Sequence, residues 1–575
     1  MSTLLIVVLG VVIVAVVTAL GRRLNIAGPL VLVAIGLLLA ILPFVPNIEP
    51  IDPEWILVGV LPPLLYSSAV QLPAIEFRRD FRPIAGLSVL LVVGSAVLLG
   101  FFFTWVIPGL SLPVGIALGA ILSPTDAVAT SIVKRMGISP RVVTMLEGES
   151  LLNDATALVL LRTATVAIAS GFSFGAAVGT FFWGVLIAIV IGGLIGVVNL
   201  RVRAWIGNSA ANTALSFVVP FIAYLPTEEL GGSGLVAAVV AGIVTGQGSA
   251  RWFTPDQRLS DEINWRTIEL VLEGGVFLVM GLELSDVVTQ NLEEHDGLWH
   301  GTWLALAALM IVILARAVYV SILIWTQGMR ARRFERVDFA HIDARLDDVA
   351  AGRVAPRGGP TDPERLNRRV GSIRRRVARM TTDLDYYRAS PLGWKHGTII
   401  VWAGMRGVVT LAAAQTLPTD TQHRSLLIFI AFMVAVVSLL LQGFTLPLVV
   451  RLLRIPPAPT GPTPEEQSRL DAELRSAAAD ALANPALARR DGGAFSERMV
   501  ATVGSRLVDP PDDDTTAKAR EVLELRLVLI DAMRRRLVDV GSSGTFSTAA
   551  LRHALAELDA DQLSLELRLS DGDGD

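Results

Sequence analysis

The chain has 575 residues, 52% of them hydrophobic and 18% charged, with a formal net charge of -4 and a mean hydropathy of +0.57. A water-soluble domain carries about a quarter charged residues, so much of this chain must face something other than water. Cysteine is absent, which excludes disulfides, Cys-ligated zinc and iron–sulfur clusters, and the small net charge points to no nucleic-acid partner.

A helix needs about 20 apolar residues to cross a bilayer, somewhat fewer when packed inside protein. Read on that scale, the chain has about thirteen such runs. They are Leu4–Leu20, Ala27–Val45, Trp55–Val70, Ile84–Ile107, Val114–Val133, Val142–Ala169 and Phe174–Leu200. The rest are Ala211–Leu225, Gly231–Gly246, Thr267–Leu284, Thr302–Trp325, Thr398–Leu417 and Leu426–Val450. The first run lacks a basic lead and is followed directly by Arg22 and Arg23, so it reads as a retained helix rather than a signal peptide.

Loop charge gives an independent check. The odd connections are basic, with Arg22/Arg23, Arg78/Arg79/Arg82, Lys134/Arg135/Arg141, Arg201/Arg203 and Arg251/Arg258. The even ones are acidic or nearly uncharged, as at Glu49/Asp52/Glu54, Glu228/Glu229 and Asp286/Glu293/Glu294/Asp296. This alternation is the pattern of positive-inside topology, and it places the N-terminus outside and the C-terminus in the cytoplasm.

Two segments read as lying outside the bilayer. Gly328–Lys395 is an Arg-rich insert with a break at Arg357–Pro360 and a helical stretch from Arg365 to Tyr387, suited to rest on anionic headgroups. The chain therefore divides into a membrane domain over residues 1–455, carrying the insert, and a helical tail over 456–575. Prolines from Pro456 to Pro464 form the linker, helical periodicity covers Arg520–Val540 and Thr548–Leu569, and Asp571–Asp575 is an acidic end expected to be disordered.

Ionisable groups in mid-span cost at least roughly 2.5–3.5 kcal/mol each, so they mark function. The fifth run holds Ser123-Pro-Thr-Asp126, where Pro124 lacks a backbone donor and frees carbonyls beside Asp126. An interrupted helix of this kind offers backbone oxygens and a carboxylate to a dehydrated monovalent cation. The sixth run holds Glu149-Ser-Leu-Leu-Asn-Asp154; at 3.6 residues per turn Glu149 stacks with Asn153 and Ser150 with Asp154. Embedded carboxylates need compensation, for which Arg316 and Arg406 are available in otherwise apolar runs. Arg162 is a further membrane arginine to which the pattern gives no role.

Together Ser123–Asp126, Glu149–Asp154, Trp402-Ala-Gly-Met-Arg-Gly-Val-Val-Thr-Leu-Ala412 and Gln442-Gly-Phe-Thr-Leu-Pro447 resemble the signatures of the bacterial NhaP and animal NHE sodium/proton exchangers. Blocks around Ser233-Gly234 and Gly281-Leu282 resemble further family segments in the same order. The resemblance implies an all-α polytopic fold of about thirteen helices of the NhaA type, with spans five and twelve broken and crossing at mid-membrane, and a homodimer. It implies an ion site from Thr125, Asp126, Ser150 and Asp154, with Asn153 ordering it, Glu149 paired to Arg316, and Arg406 in or beside the broken twelfth helix. The implied activity is exchange of Na+, or Li+ or K+, for H+ across the cytoplasmic membrane, for pH and cation homeostasis, with no cofactor beyond the transported ions. The Asn153-Asp154 pair is the family's mark of electroneutral exchange. Glu273 in the tenth run stands where an amide is common in relatives and adds a titratable group.

Proton and cation then compete for Asp154, and exchange follows if only the loaded site can cross. The rival readings are a cation channel using the same carboxylates, and a transporter-like sensor with the tail as its output. An enzyme is not expected: no Walker loop or His-Glu-x-x-His is present, and the six histidines are not grouped in the spans.

Overall fold

The computed structural model describes residues 3–24, 28–41, 54–170, 174–293, 298–334, 390–456 apart from 419, 464–505 apart from 485, 486, 490 and 491, and 517–570. A few positions between 371 and 387 are also described. The Arg357–Pro360 break, most of the Arg365–Tyr387 stretch, the linker after Pro456 and the Asp571–Asp575 end lie outside them.

Among the described residues the structure is helical, and each apolar run falls on a helix or on a helix with a break in it. The first unit comprises Met1–Ser249, Ser260–Gly328 and Leu392–Ala458. Its helices are α1 (Thr3–Leu24), α2 (Gly28–Ile41), α3 (Leu61–Gln71), α4 (Ala74–Arg79), α5 (Phe81–Ala85), α6 (Leu91–Val106), α7 (Leu112–Leu122), α8 (Val128–Arg135) and α9 (Pro140–Ser170). They continue with α10 (Phe174–Trp205), α11 (Ser209–Glu229), and the parts of α12 (Gly234–Trp252), α13 (Pro255–Glu293) and α14 (Leu298–Phe334) within these bounds, then α15 (Trp394–Trp402), α16 (Val408–Gln415) and α17 (Arg424–Leu453). Two wide-turn π-helical stretches, Trp55–Val60 and Gly86–Leu90, lead into α3 and α6.

Six of the described helices are long and apolar enough to cross a membrane by length and composition: Phe81–Val106, Pro140–Ile168, Val178–Trp205, Ser209–Glu229, Leu298–Met329 and Arg424–Leu453. Val7–Leu20, Gly28–Ala40, Trp55–Gln71 and Leu112–Leu122 are apolar but shorter. Burial sorts them by position. The most apolar window of α17 is 78% buried and that of α10 only 22%, so α17 is central while α10 turns Phe182, Leu186 and Leu194 outward.

The core forms on helices that approach closely. α6 packs on α7, and α7 on α9. At the α6–α7 crossing a Cβ on Gly119 would lie 2.3 Å from the Ala96 carbonyl oxygen, and one on Gly115 would lie 2.7 Å from that of Gly100. Only glycine fits there, which is how small residues bring backbones together where lipid provides no hydrophobic drive.

The second unit comprises Ala250–Leu259, Met329–Pro391 and Pro459–Asp575. Its tail helices are α18 (Pro464–Leu482), α19 (Glu497–Ser505), α20 (Ala517–Ser543) and α21 (Thr548–Ser570). Leu470, Leu474, Leu523, Leu527, Ile530, Ala550, Ala554 and Leu558 form one small core. Arg258 reaches the Asp559 carboxylate, with Nε donating to Oδ2 at 2.8 Å, and the Arg534 guanidinium also donates to Asp559. Burial lowers the Arg258 pKa, against the stabilising Asp559 carboxylate.

Candidate functional site

Two apolar runs are interrupted, and the interruptions meet. In the fifth, helix stops at Leu122 and resumes at Val128; in the twelfth, it stops at Trp402 and resumes at Val408. The Asp126 amide donates to the Met405 carbonyl at 2.7 Å, joining the two breaks. Pro124 accounts for the first break, because it has no amide to continue the ladder. In the second, Gly404 and Gly407 allow side chains to lie directly on the backbone. A Cβ on Gly407 would fall 1.5 Å from Asp126 Oδ2, and one on Gly404 2.8 Å from Arg316 Nε.

Every break leaves helix-end groups to satisfy: carbonyls and partial negative charge at C-termini, amides and partial positive charge at N-termini. The side chains here follow that polarity. Arg406 Nε donates to Leu122 O at the end of α7 (3.0 Å), and its Nη1 donates to Gly404 O. Arg316 Nε donates to Ile400 O in the last turn of α15 (2.9 Å). Asp126 Oδ1 accepts from the Val128 amide at the start of α8 (2.9 Å). Cations therefore sit at the C-terminal stubs and the carboxylate at an N-terminal one.

The sixth run, α9, supplies the other half. Ser150 Oγ donates to Thr125 O at 3.0 Å, and Asn153 Nδ2 to Thr125 Oγ1 at 2.6 Å. Asn153 Oδ1 is buried with no hydrogen-bond partner among the described residues. Asp154 is 7% exposed, and Asp126 is the charged group that acts on it. Thr125, Ser150 and Asn153 thus meet at the first break, and the Asp126 carboxylate at that break acts on the charge of Asp154. Asp126 itself is half-buried and Ala127 exposed, so this cluster is not sealed on every side.

Glu149 points to another partner. Arg316 grips its carboxylate with both terminal nitrogens, Nη2 to Oε2 at 2.8 Å and Nη1 to Oε1, with the two side chains 2% and 1% exposed. Arg316 therefore compensates a carboxylate as the sequence allowed. Arg406 does something different: its hydrogen bonds go to backbone carbonyls at the breaks, and its own amide donates to Ser438 Oγ at 2.9 Å. Glu273, on α13, is half-buried, with Asp126 and Glu269 as the charged groups acting on it.

Several participants carried no clear signal in the sequence. Ser95 Oγ and Ser123 Oγ are 2.9 Å apart, tying α6 to the break, and Ser88 Oγ donates to Glu149 O at 3.2 Å. Arg162, without a role in the sequence pattern, donates to Glu228 Oε2 (2.8 Å) and Gly232 O (2.9 Å), bracing the α11–α12 turn. These are side-chain contacts between segments tens of residues apart, which periodicity cannot reveal. Among the described residues, no group of three or more His, Cys, Asp and Glu is arranged to hold a resident metal ion.

The chain matches the family described as "Sodium/hydrogen exchanger, transmembrane" over residues 11–342 and 375–452. It is 27% identical over 569 residues to an uncharacterized Na(+)/H(+) exchanger of Mycobacterium tuberculosis, covering 95% of this chain and 93% of that protein. A sodium, potassium, lithium and rubidium/H(+) antiporter of Bacillus pumilus is 27% identical over 440 residues, 73% of this chain and 57% of that one. The fold is similar to that of a sodium proton antiporter from Methanocaldococcus jannaschii, with TM-score 0.54 and 17% identity over 78% of this chain and 98% of that one.

Proposed function

We propose, because this chain belongs to the sodium/hydrogen exchanger family, that it is a secondary active antiporter exchanging Na+ for H+ across the cytoplasmic membrane, with Li+ and K+ as further candidate cations. Asp154 is the shared ligand of cation and proton. Asp126, the Thr125 carbonyl and Ser150 complete the cation's oxygen shell, and Asn153 fixes Thr125. The observation that supports this reading most directly is the junction of the two interrupted helices at Asp126 and Met405, 2.7 Å apart, with the Asp126 charge acting on the buried Asp154.

The mechanism is competition. A carboxylate withdrawn from bulk water is stable when it holds a proton or a cation and unstable when it holds neither. If only a loaded site crosses between inward- and outward-facing states, each crossing carries one ion in one direction, and no ATP is needed. The helix-end arginines stay paired throughout, so charge varies only at the carboxylates. Asn153 beside Asp154 leaves one exchangeable charge there, which favours one-for-one, electroneutral exchange. A homodimer, about thirteen crossings and a cytoplasmic tail complete the proposal, with pH and cation homeostasis as its use.

Everted vesicles carrying a quenched pH dye test it. Added Na+ should dequench the dye in vesicles containing the protein, and parallel runs with Li+ and K+ rank the cations. Absence of dequenching with all three contradicts antiport.

A further inference from the structure

A groove of about 930 Å³ lies between α6 and α14, on the outer side of the first unit. Its walls include Leu98, Phe101 and Trp105 from α6 and Leu314, Val318 and Ile322 from α14, all 48–86% exposed. Both walls belong to helices apolar and long enough to cross a membrane, so the groove opens toward lipid. Its polar lining is limited to Ser95 and Tyr319. From Leu90 to Trp105 it runs roughly 22 Å at 1.5 Å per residue. That length and the nearly unbroken apolar lining suit a hydrocarbon chain.

Charge marks one end. Arg82, exposed, precedes Leu90 by eight residues on the same helical segment, about 12 Å, and exposed Arg78 precedes it on α4. Trp105, 86% exposed, stands at the other end, a residue suited to the membrane–water boundary. We propose that this groove is a binding site for an acyl chain of an anionic phospholipid whose headgroup lies at the Arg82 end. The occupant bears on the ion site through the walls themselves. Ser95 is tied to Ser123 of the first break, Ser88 just before α6 holds the Glu149 carbonyl, and Arg316 of α14 holds the Glu149 carboxylate. An effect on exchange rests on the antiport reading; the binding itself does not.

The test uses the full chain in phosphatidylcholine vesicles with trace phosphatidylglycerol bearing a photoactivatable group on its acyl chain. Irradiation and peptide mapping should place label on residues 90–105 and 311–322 several-fold above the exposed α10 face at Phe182, Leu186 and Leu194. Unlabelled phosphatidylglycerol should compete and additional phosphatidylcholine should not. A Cβ on Gly94 meets nothing within 4 Å, so Gly94→Trp fills the groove without a backbone clash and should remove the excess label; Leu98→Trp serves if that variant does not fold. Arg82→Gln should let phosphatidylcholine compete equally. Labelling of α6 no greater than that of α10, excess label that survives both tryptophan variants, or chain-to-chain cross-links in place of lipid label would overturn the proposal. Sodium-driven proton movement, measured on the same vesicles, separates failure of lipid binding from failure of the antiport reading.

Discussion

The Asp126 amide and the Met405 carbonyl, 2.7 Å apart, fasten two interrupted helices to each other at their breaks. Neither backbone group can be paired within its own helix, because both lie where helical geometry has stopped. The Asp126 side chain is left to cap α8 and lies against Gly407 of the second break. This cross-connection makes the site sensitive to the smallest side chain added at Gly404 or Gly407 of the second break.

Gly407→Ala is the sharpest form of that change. The added methyl would overlap Asp126 Oδ2, 1.5 Å from the ideal Cβ position, so the carboxylate or the break must move. Glycine's backbone there is extended rather than left-handed, so alanine meets the carboxylate and not a forbidden conformation. Sodium-driven proton movement should fall at least about tenfold, equivalent to ~1.4 kcal/mol, with membrane expression unchanged. Wild-type rates in this variant would show that Asp126 need not hold its position.

Glu149 and Arg316 form a pair closed to solvent. Removing one partner of a buried pair leaves a charge uncompensated, typically at a cost of about 3–5 kcal/mol. Glu149→Gln and Arg316→Gln should each lower the melting temperature in detergent, and the double variant should recover part of the loss. Recovery will be incomplete, because Arg316 also caps Ile400. Strictly additive losses would mean that the two residues act independently.

Much of this arrangement could be read from the sequence, for identifiable reasons. Asp126, Glu149 and Asp154 stood out because carboxylates are rare in apolar runs, and Pro124 announced the first break. The i, i+4 rule put Asn153 over Glu149, yet they serve different partners, Thr125 and Arg316. The role of Arg406 was hidden: composition suggests a carboxylate partner, whereas broken helices expose carbonyls that a guanidinium also satisfies. The π-helical turns were hidden too. At Trp55–Val60 the following Pro62 and Pro63 lack amides, so the preceding turn widens, but proline alone does not say whether a helix kinks, stops or widens.

His396 makes stability depend on pH from outside the spans. It stands at the start of α15, half-buried, where its Nδ1 accepts from the Gly393 amide at 3.2 Å. Burial, then the Arg141 and Lys395 charges, hold its pKa below the usual 6.5. The unfolded chain therefore binds this proton more readily, so the His396 contribution is present above about pH 6.5 and is lost as pH falls through the lowered folded value. Melting temperature should drop less steeply on acidification in His396→Gln than in the wild type. Identical profiles would remove His396 from the account.

The proposed one-for-one exchange predicts an electrical behaviour in which Glu273 takes no part. One-for-one exchange moves no net charge, so proteoliposomes with a sodium gradient should show rates indifferent to a potential imposed by valinomycin and potassium, once potassium is excluded as a substrate. Glu273→Gln should leave that indifference unchanged. A wild-type rate that rises steeply with potential, and loses the dependence in Glu273→Gln, would make Glu273 a carrier of an extra proton.

Asp154→Asn in proteoliposomes tests the central claim most directly. The substitution preserves size and removes the charge for which proton and cation are proposed to compete, at a buried position on which the Asp126 charge acts. With an outward sodium gradient, wild-type protein should acidify the lumen, at a rate that saturates with sodium and shifts to lower sodium as pH rises. Asp154→Asn, inserted at the same density and with an unchanged melting profile, should show no sodium-dependent proton movement above protein-free vesicles. Near-normal exchange in that variant would contradict the assignment of Asp154 as the shared site, whatever the family of the chain.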